Sequence, residues 1–392
     1  MKKFLALVLT GALALSMVGC GSASEGVTGK ASANGATVEE VKIEAEGSNP
    51  AENSGEATTK TIVDHEGTTV EIPAEIDRIV VGTWPLAAQL AAYLGSAEKI
   101  VGVAPEVMVA AEHGVLGQIY PEFLNASTKF YEGGTINIEE LLKLEPDIVI
   151  GVSGETAAAI REAGIPAVSV SVSQWGYDVV ETTGQWLDVF DGIFGESEKA
   201  AKVQAHTEQV QADILAKVST LSEEEKKRVM ILFSYSDAAM KTSSKGFFGQ
   251  SWCDLTGAIN VGEEIDALGA ASINMEQVYA WNPDVIMITN FTSAQPEDLY
   301  NNTIGSDDWS TVKAVQDKEV YKMPLGWYRS FTPGVDTAVT LQWFAKMVYP
   351  ELFADVDMNQ VTKDYFNEYF GITLTDEQIE MMYNPSSAAS AY

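Results

Sequence analysis

The chain has 392 residues, of which 46% are hydrophobic and 20% charged, and its formal net charge is −32. Acidity on that scale excludes a nucleic-acid partner, because phosphate binding requires a basic face, and it keeps a surface soluble and away from anionic headgroups. Two cysteines are too few for a disulfide scaffold, and the three histidines, His65, His113 and His206, form no spacing suited to a bare transition metal.

Met1-Lys2-Lys3 opens the chain, and the apolar run over 4–18 is too short to span a bilayer but suits the core of a signal peptide, so residues 1–19 are expected to be removed. Met17-Val18-Gly19-Cys20 resembles a bacterial lipobox, with Met17 where Leu is more usual, and marks Cys20 for lipidation at the cell membrane. Residues 20–59, rich in Ser, Gly, Ala and Glu, read as a flexible tether.

Ile62, Val63, Val70 and Ile72 flank His65-Glu66-Gly67 and predict a hairpin. Strands over 79–81, 100–103, 148–150 and 168–172 alternate with helices over 85–94, 138–144 and 158–163, making a first lobe at 60–178. Residues 179–219 carry no strand signal. Val203, Val210, Ile214 and Val218 form one helical stripe there, which predicts a long connecting helix and small relative motions of the lobes.

The second lobe, 220–385, reads as strands over 229–233, 285–288 and 320–321 with helices over 252–255, 274–281, 337–348, 361–370 and 376–382. Cys253 falls in the first of these helices as an inert buried thiol. Residues 386–392 read as a disordered tail.

Ile136-Asn137-Ile138-Glu139 through Glu145-Pro146-Asp147-Ile148-Val149-Ile150 recurs without a gap, 137 residues later, as Ile273-Asn274-Met275-Glu276 through Asn282-Pro283-Asp284-Val285-Ile286-Met287. In each copy Asn precedes a short helical run, Pro stops it, and an apolar strand follows, as in a parallel sheet covered on both faces. Arg78-Ile79-Val80-Val81 likewise matches Arg228-Val229-Met230-Ile231. The fold class is therefore α/β, with two similar lobes on mostly parallel sheets and a long interdomain helix.

The lipobox, the hairpin ending in Val70-Glu71-Ile72-Pro73, the Arg-Ile-Val-Val strand, the Asn-x-Glu and Pro-Asp unit in each half and the connecting helix together resemble ABC-transporter substrate-binding proteins for iron-siderophore, haem and cobalamin uptake, over about 61–383. The resemblance implies a monomeric, lipid-anchored binding protein outside the cytoplasm, with a ligand cleft between its two lobes, an ABC permease as partner and no catalytic activity. It also implies that Glu139 and Glu276, one on each lobe, dock onto permease arginines. Acids at helix starts suit the helix dipole and a basic partner alike, and they are common there without any partner.

Ligands of open α/β sheets bind beyond the carboxyl ends of the strands. Trp84, Trp175, Tyr235, Trp327 and Tyr328 fall in loops at those ends, where wide rings suit a bulky, partly apolar ligand and also ordinary packing. Arg329 offers a fork of donors to an anionic edge of a metal chelate, or else to a surface salt bridge. Metal is expected to arrive as a chelate, with no resident cofactor. Two rivals stand beside a ferric chelate. One is a compact oxyanion such as molybdate or tungstate, and the other is an exported lipoprotein enzyme, which lacks any Gly-x-Ser-x-Gly, P-loop or Gly-x-Gly-x-x-Gly signature here.

Overall fold

A computed structural model describes residues 58–390; the signal-peptide reading, Cys20 and nearly all of the expected tether lie outside the described residues. The first lobe is built on four parallel strands in the order Ile100–Val103, Ile79–Val81, Ile148–Val152, Ala167–Ser169. The last three are buried throughout, as a sheet covered by helices on both faces requires. In the second lobe Arg228–Tyr235, Val285–Ile288 and Val320–Lys322 pair in parallel, and Ile259–Asn260 adds a short parallel partner.

Besides the short Ile259–Asn260, two strands of the second lobe escape the sequence reading. Met240–Ser243 and Ala270–Ile273 run antiparallel along one side of the sheet. Met-Lys-Thr-Ser has only one apolar residue, Met240, among its three buried positions, the others being Thr242 and Ser243, so ladder hydrogen bonds define the strand where hydrophobic periodicity does not.

The repeated unit folds the same way twice. Asn137 caps Ile138–Leu142 by accepting from the N–H groups of Glu139 at 3.0 Å and Glu140 at 3.2 Å, and Asn274 caps Met275–Trp281 by accepting from Gln277 at 3.0 Å. Glu145 and Asn282, the residues before each Pro, both adopt φ 43° and turn the chain back toward the sheet. Each following Asp then grips the central strand: Asp147 accepts from the Arg78 N–H at 2.8 Å, and Asp284 from the Arg228 N–H at 2.9 Å. The guanidinium groups close the ring, Arg78 Nε donating to the Leu144 carbonyl at 2.9 Å and Arg228 Nε to the equivalent Trp281 carbonyl at 3.3 Å.

The connecting region is two helices, not one. Val179–Phe194 ends at Gly195, whose φ of 96° suits a residue without a side chain, and Ser197 caps Glu198–Val218 by accepting from the Ala200 N–H at 3.2 Å. The expected stripe of Val203, Val210, Ile214 and Val218 is buried on the second helix. It belongs to one apolar cluster that also holds Ile79 and Val81 of the first sheet and Val229, Ile231 and Trp252 of the second lobe. The core therefore runs unbroken through both lobes.

Pro105 opens the Pro105–Glu112 helix, where its missing N–H is harmless. The tail is corrected over 386–390. Ser387–Ser390 makes a 3-10 turn that packs on Pro105–Glu112 with Ala389 fully buried, because a run of Ser and Ala has no bulk to hold the chain away. Ending the chain at Pro385 is expected to lower the thermal midpoint by about 2–4 °C, the effect of losing roughly 1 kcal/mol of burial. A midpoint unchanged in calorimetry would show that the turn adds nothing.

Candidate functional site

A cavity of about 440 Å³ opens beyond the carboxyl ends of the first-lobe strands. Two glycines shape its floor: a Cβ on Gly82 would meet Val152 Cγ1 at 2.7 Å, and one on Gly151, at φ 76°, would meet Leu86 Cδ1 at 2.6 Å. That closeness lets the Thr83 hydroxyl donate to the Gly151 carbonyl and sets Trp84 at the cavity edge.

The hairpin of Thr59–Val63 and Thr69–Pro73 supplies another wall through His65 and Glu66. Asp64 pins the hairpin tip by accepting from the Ser169 N–H at 3.1 Å and pairing with Arg161 Nη2 at 2.5 Å. Burial acts to raise its pKa, but hydrogen bonds from Thr68, Ser169 and Glu66 outweigh it and hold the carboxyl below its usual value. Glu66 accepts from the Gly154 N–H at 2.8 Å and the Ser169 hydroxyl at 2.9 Å. His65 Nδ1 accepts from the Ser171 N–H at 3.0 Å, so that nitrogen carries no proton. Trp175 packs edge-on against the imidazole at 4.7 Å. Ser153, Ser173 and Gln174 add polar lining.

Trp84 also faces the other lobe. Its ring lies 5.2 Å from Phe291 and 6.1 Å from Tyr328. The Arg329 guanidinium stands 4.9 Å from the Phe291 centroid and 5.6 Å from that of Tyr328. Arg329 is fully buried, which removes the surface salt-bridge reading. Asn290 holds the loop before it by donating to the Met323 and Pro324 carbonyls at 2.9 and 2.8 Å, and Asp336 accepts from the Trp327 N–H at 2.9 Å. Burial pushes the Asp336 carboxyl up to about 6. Buried Lys322 donates to the Thr292 and Ala294 carbonyls at 2.6 and 2.8 Å; burial, with the Arg329 charge nearby, pulls its pKa down to about 7.

The structure thus brings Trp84, Tyr328 and Arg329 together at the seam between the lobes, while Trp175 packs against His65 of the hairpin wall without lining the cavity itself. Tyr235 and Trp327 lie elsewhere. The central strand extends through Tyr235, whose hydroxyl donates to Asp307 Oδ2 at 3.0 Å and accepts from Trp309 Nε1 at 3.0 Å in a separate core. Trp327 is sandwiched between Tyr120 at 5.7 Å and Phe366 at 5.3 Å. Both rings fill the interior rather than face the cavity. His65 and Glu66 escaped notice because Asp-His-Glu-Gly reads only as a turn, and its partners at 154–171 are about a hundred residues away. Glu139 and Glu276 are exposed. Among the described residues no cluster of His, Cys, Asp and Glu forms a metal site, and no helix is long and apolar enough to cross a membrane.

Residues 79–325 match the periplasmic binding protein family, and the chain belongs to it. The chain is 26% identical over 338 residues to the molybdate-binding protein MolA of Haemophilus influenzae, covering 79% of this chain and 91% of that one. It is 22% identical over 329 residues to the iron-uptake system-binding protein of Bacillus subtilis, covering 82% and 90%. Among solved structures, a periplasmic solute binding protein from Veillonella parvula matches with a TM-score of 0.74 and 28% identity over 84% of this chain and 98% of that one. Molybdate-bound MolA of Haemophilus influenzae matches in fold with a TM-score of 0.68 at 22% identity, over 81% and 99%. Members of this family bind a solute and work with ABC permeases, so this chain is a transport protein of the extracytoplasmic side and not an enzyme.

Burial lowers the His65 pKa below its ordinary 6.5, with the Gln185 backbone and the Asp64 and Asp188 charges acting the other way. As pH falls, the unfolded chain therefore takes up this proton first. The stability contribution is full above about pH 6.5 and shrinks as pH drops below it toward the folded-state value. Thermal midpoints between pH 7 and 5 are expected to fall more steeply for the native chain than for His65→Gln; parallel curves would detach the hairpin tip from this ionisation.

Proposed function

We propose that this protein captures a compact oxyanion of the molybdate or tungstate kind and delivers it to an ABC permease. The observation that carries the reading is the fully buried guanidinium of Arg329 at the lobe seam, framed by Phe291 and Tyr328 and separated from the cavity by Trp84. Its forked donors match a multiply oxygenated anion, and exclusion of water strengthens the attraction. Lys322 adds a second buried basic group nearby, and the buried Ser330 hydroxyl, next in the chain, has no hydrogen-bond partner among the described residues. Similarity to a protein named as molybdate-binding points the same way.

A ferric chelate is the second reading, favoured by the cavity itself. Trp84 and Tyr131 border it beside the hydroxyls of Thr83, Ser153 and Ser173, and its volume of about 440 Å³ suits a small organic ligand. Here the chelator supplies the metal-binding atoms, and the protein keeps no resident cofactor. Calorimetric titration with molybdate, tungstate, sulfate, ferric siderophores, haem and cobalamin separates the two. Molybdate or tungstate is expected to bind, and Arg329→Gln to weaken it by about 30-fold or more, the loss of roughly 2 kcal/mol for a buried charge pair. Binding of a chelate alone would establish the second reading, and an unchanged dissociation constant in Arg329→Gln would remove the arginine from the site.

Lipidation of Cys20 after loss of residues 1–19 anchors the protein, as a monomer, to the membrane that holds its permease. Glu139 and Glu276 are the docking carboxylates: they occupy equivalent places in the repeat and both are exposed. The Glu139→Ala, Glu276→Ala double variant is expected to bind ligand normally and to support less uptake by cells. Uptake at the native rate would reject this docking.

A further inference from the structure

We infer that the permease contact extends past the two glutamates to a pair of apolar pads, Leu142 on the first lobe and Tyr279 on the second. The inference rests on the docking reading given above, and it starts from an independent observation. Among the described residues only six large hydrophobic side chains are exposed, and two of them, Leu142 at 45% and Tyr279 at 42%, occupy the same position of the repeat. Each lies three residues after its glutamate, which puts acid and apolar side chain on one face of their helix.

Neither exposure is a by-product of core packing. The residue just before each pad, Leu141 in one copy and Val278 in the other, is fully buried and already serves the core at that level of the helix. A purely structural helix would carry a polar residue at the next, outward position. Tyr279 shows the arrangement in detail: its hydroxyl donates to the Asp308 carbonyl at 2.6 Å, tethering the tip of the ring while its body stays open to solvent. Beside Leu142, Lys143 pairs locally with Glu140 at 2.5 Å, a pair that does not include Glu139.

The partner follows from the repetition. Each helix feeds a parallel strand and so begins at the carboxyl edge of its sheet, the edge beyond which the first lobe carries its cavity. Two equivalent acid-plus-apolar patches, one per lobe, fit a partner that itself presents two equivalent basic-plus-apolar patches, as a permease of paired subunits does. The carboxylates set register and encounter rate, and the pads supply contact that persists at high salt.

The test uses the full-length protein and its cognate permease–ATPase complex in nanodiscs. Leu142→Gln with Tyr279→Gln is expected to leave the thermal midpoint and ligand affinity of the binding protein unchanged and to weaken docking about tenfold or more, at low and high salt alike. Each single variant should lose part of that affinity. Tyr279→Phe, which keeps the ring and removes only the tether, should dock nearly as the native chain does. Native docking by the double variant would overturn the pads. If the Glu139→Ala, Glu276→Ala variant also docks normally, the docking reading itself fails; if only the glutamates matter, that reading stands without the pads.

Discussion

The ring of hydrogen bonds that joins a Pro-Asp turn to an arginine at the start of the central strand is the constraint on which both lobes are built. Asp147 with Arg78, and Asp284 with Arg228, tie the turn after one helix to the start of a strand that lies beside the next. These groups are solvent-accessible, so their energy is modest; what they contribute is register. Once the ring is closed, the helix cannot slide along the sheet. The exposed glutamate in its first turn and the strand end beyond the sheet are then set at a fixed distance, twice over.

On that frame the second constraint is the shared core. A buried stripe on Glu198–Val218 joins residues of both lobes in one cluster, and a direct bond adds to it, the Gln89 side chain accepting from the Val335 N–H at 2.7 Å. Sliding the lobes apart would expose this apolar surface to water. The break at Gly195 does not loosen the link, because the helices on either side of it both bury residues in the same cluster.

What the sequence made legible follows from how local each signal is. Asn caps, the Pro-Asp turn and apolar strands after it are written within about fifteen residues, and a second copy in register repeats them. Arg329 and Trp84 were readable as loop residues at strand ends, but not as neighbours across a seam, since nothing in either segment encodes the other. Met240–Ser243 was hidden because two of its three buried positions are Thr242 and Ser243 and only Met240 is apolar. His65 was hidden for a different reason: its role is made by Ser171, over a hundred residues away. Tyr235 misled because a strand that runs past its apolar stretch carries the ring into a core.

The placement of Arg329 bears on how a ligand enters. Its guanidinium lies behind Phe291 and Tyr328, and the Trp84 ring that borders the cavity is packed against both. With the lobes held by a common core, wide hinge opening would disrupt far more apolar contact than the turning of one aromatic side chain. Trp84 is half-buried and sits in the loop that begins at Gly82, so its rotation displaces no strand. If Arg329 receives the ligand as proposed, the route from the cavity to the buried charge is therefore local. On the proposed oxyanion reading, selectivity arises at that seam, where the anion replaces the aromatic contacts around Arg329 with charge-assisted hydrogen bonds strong enough to repay its own desolvation.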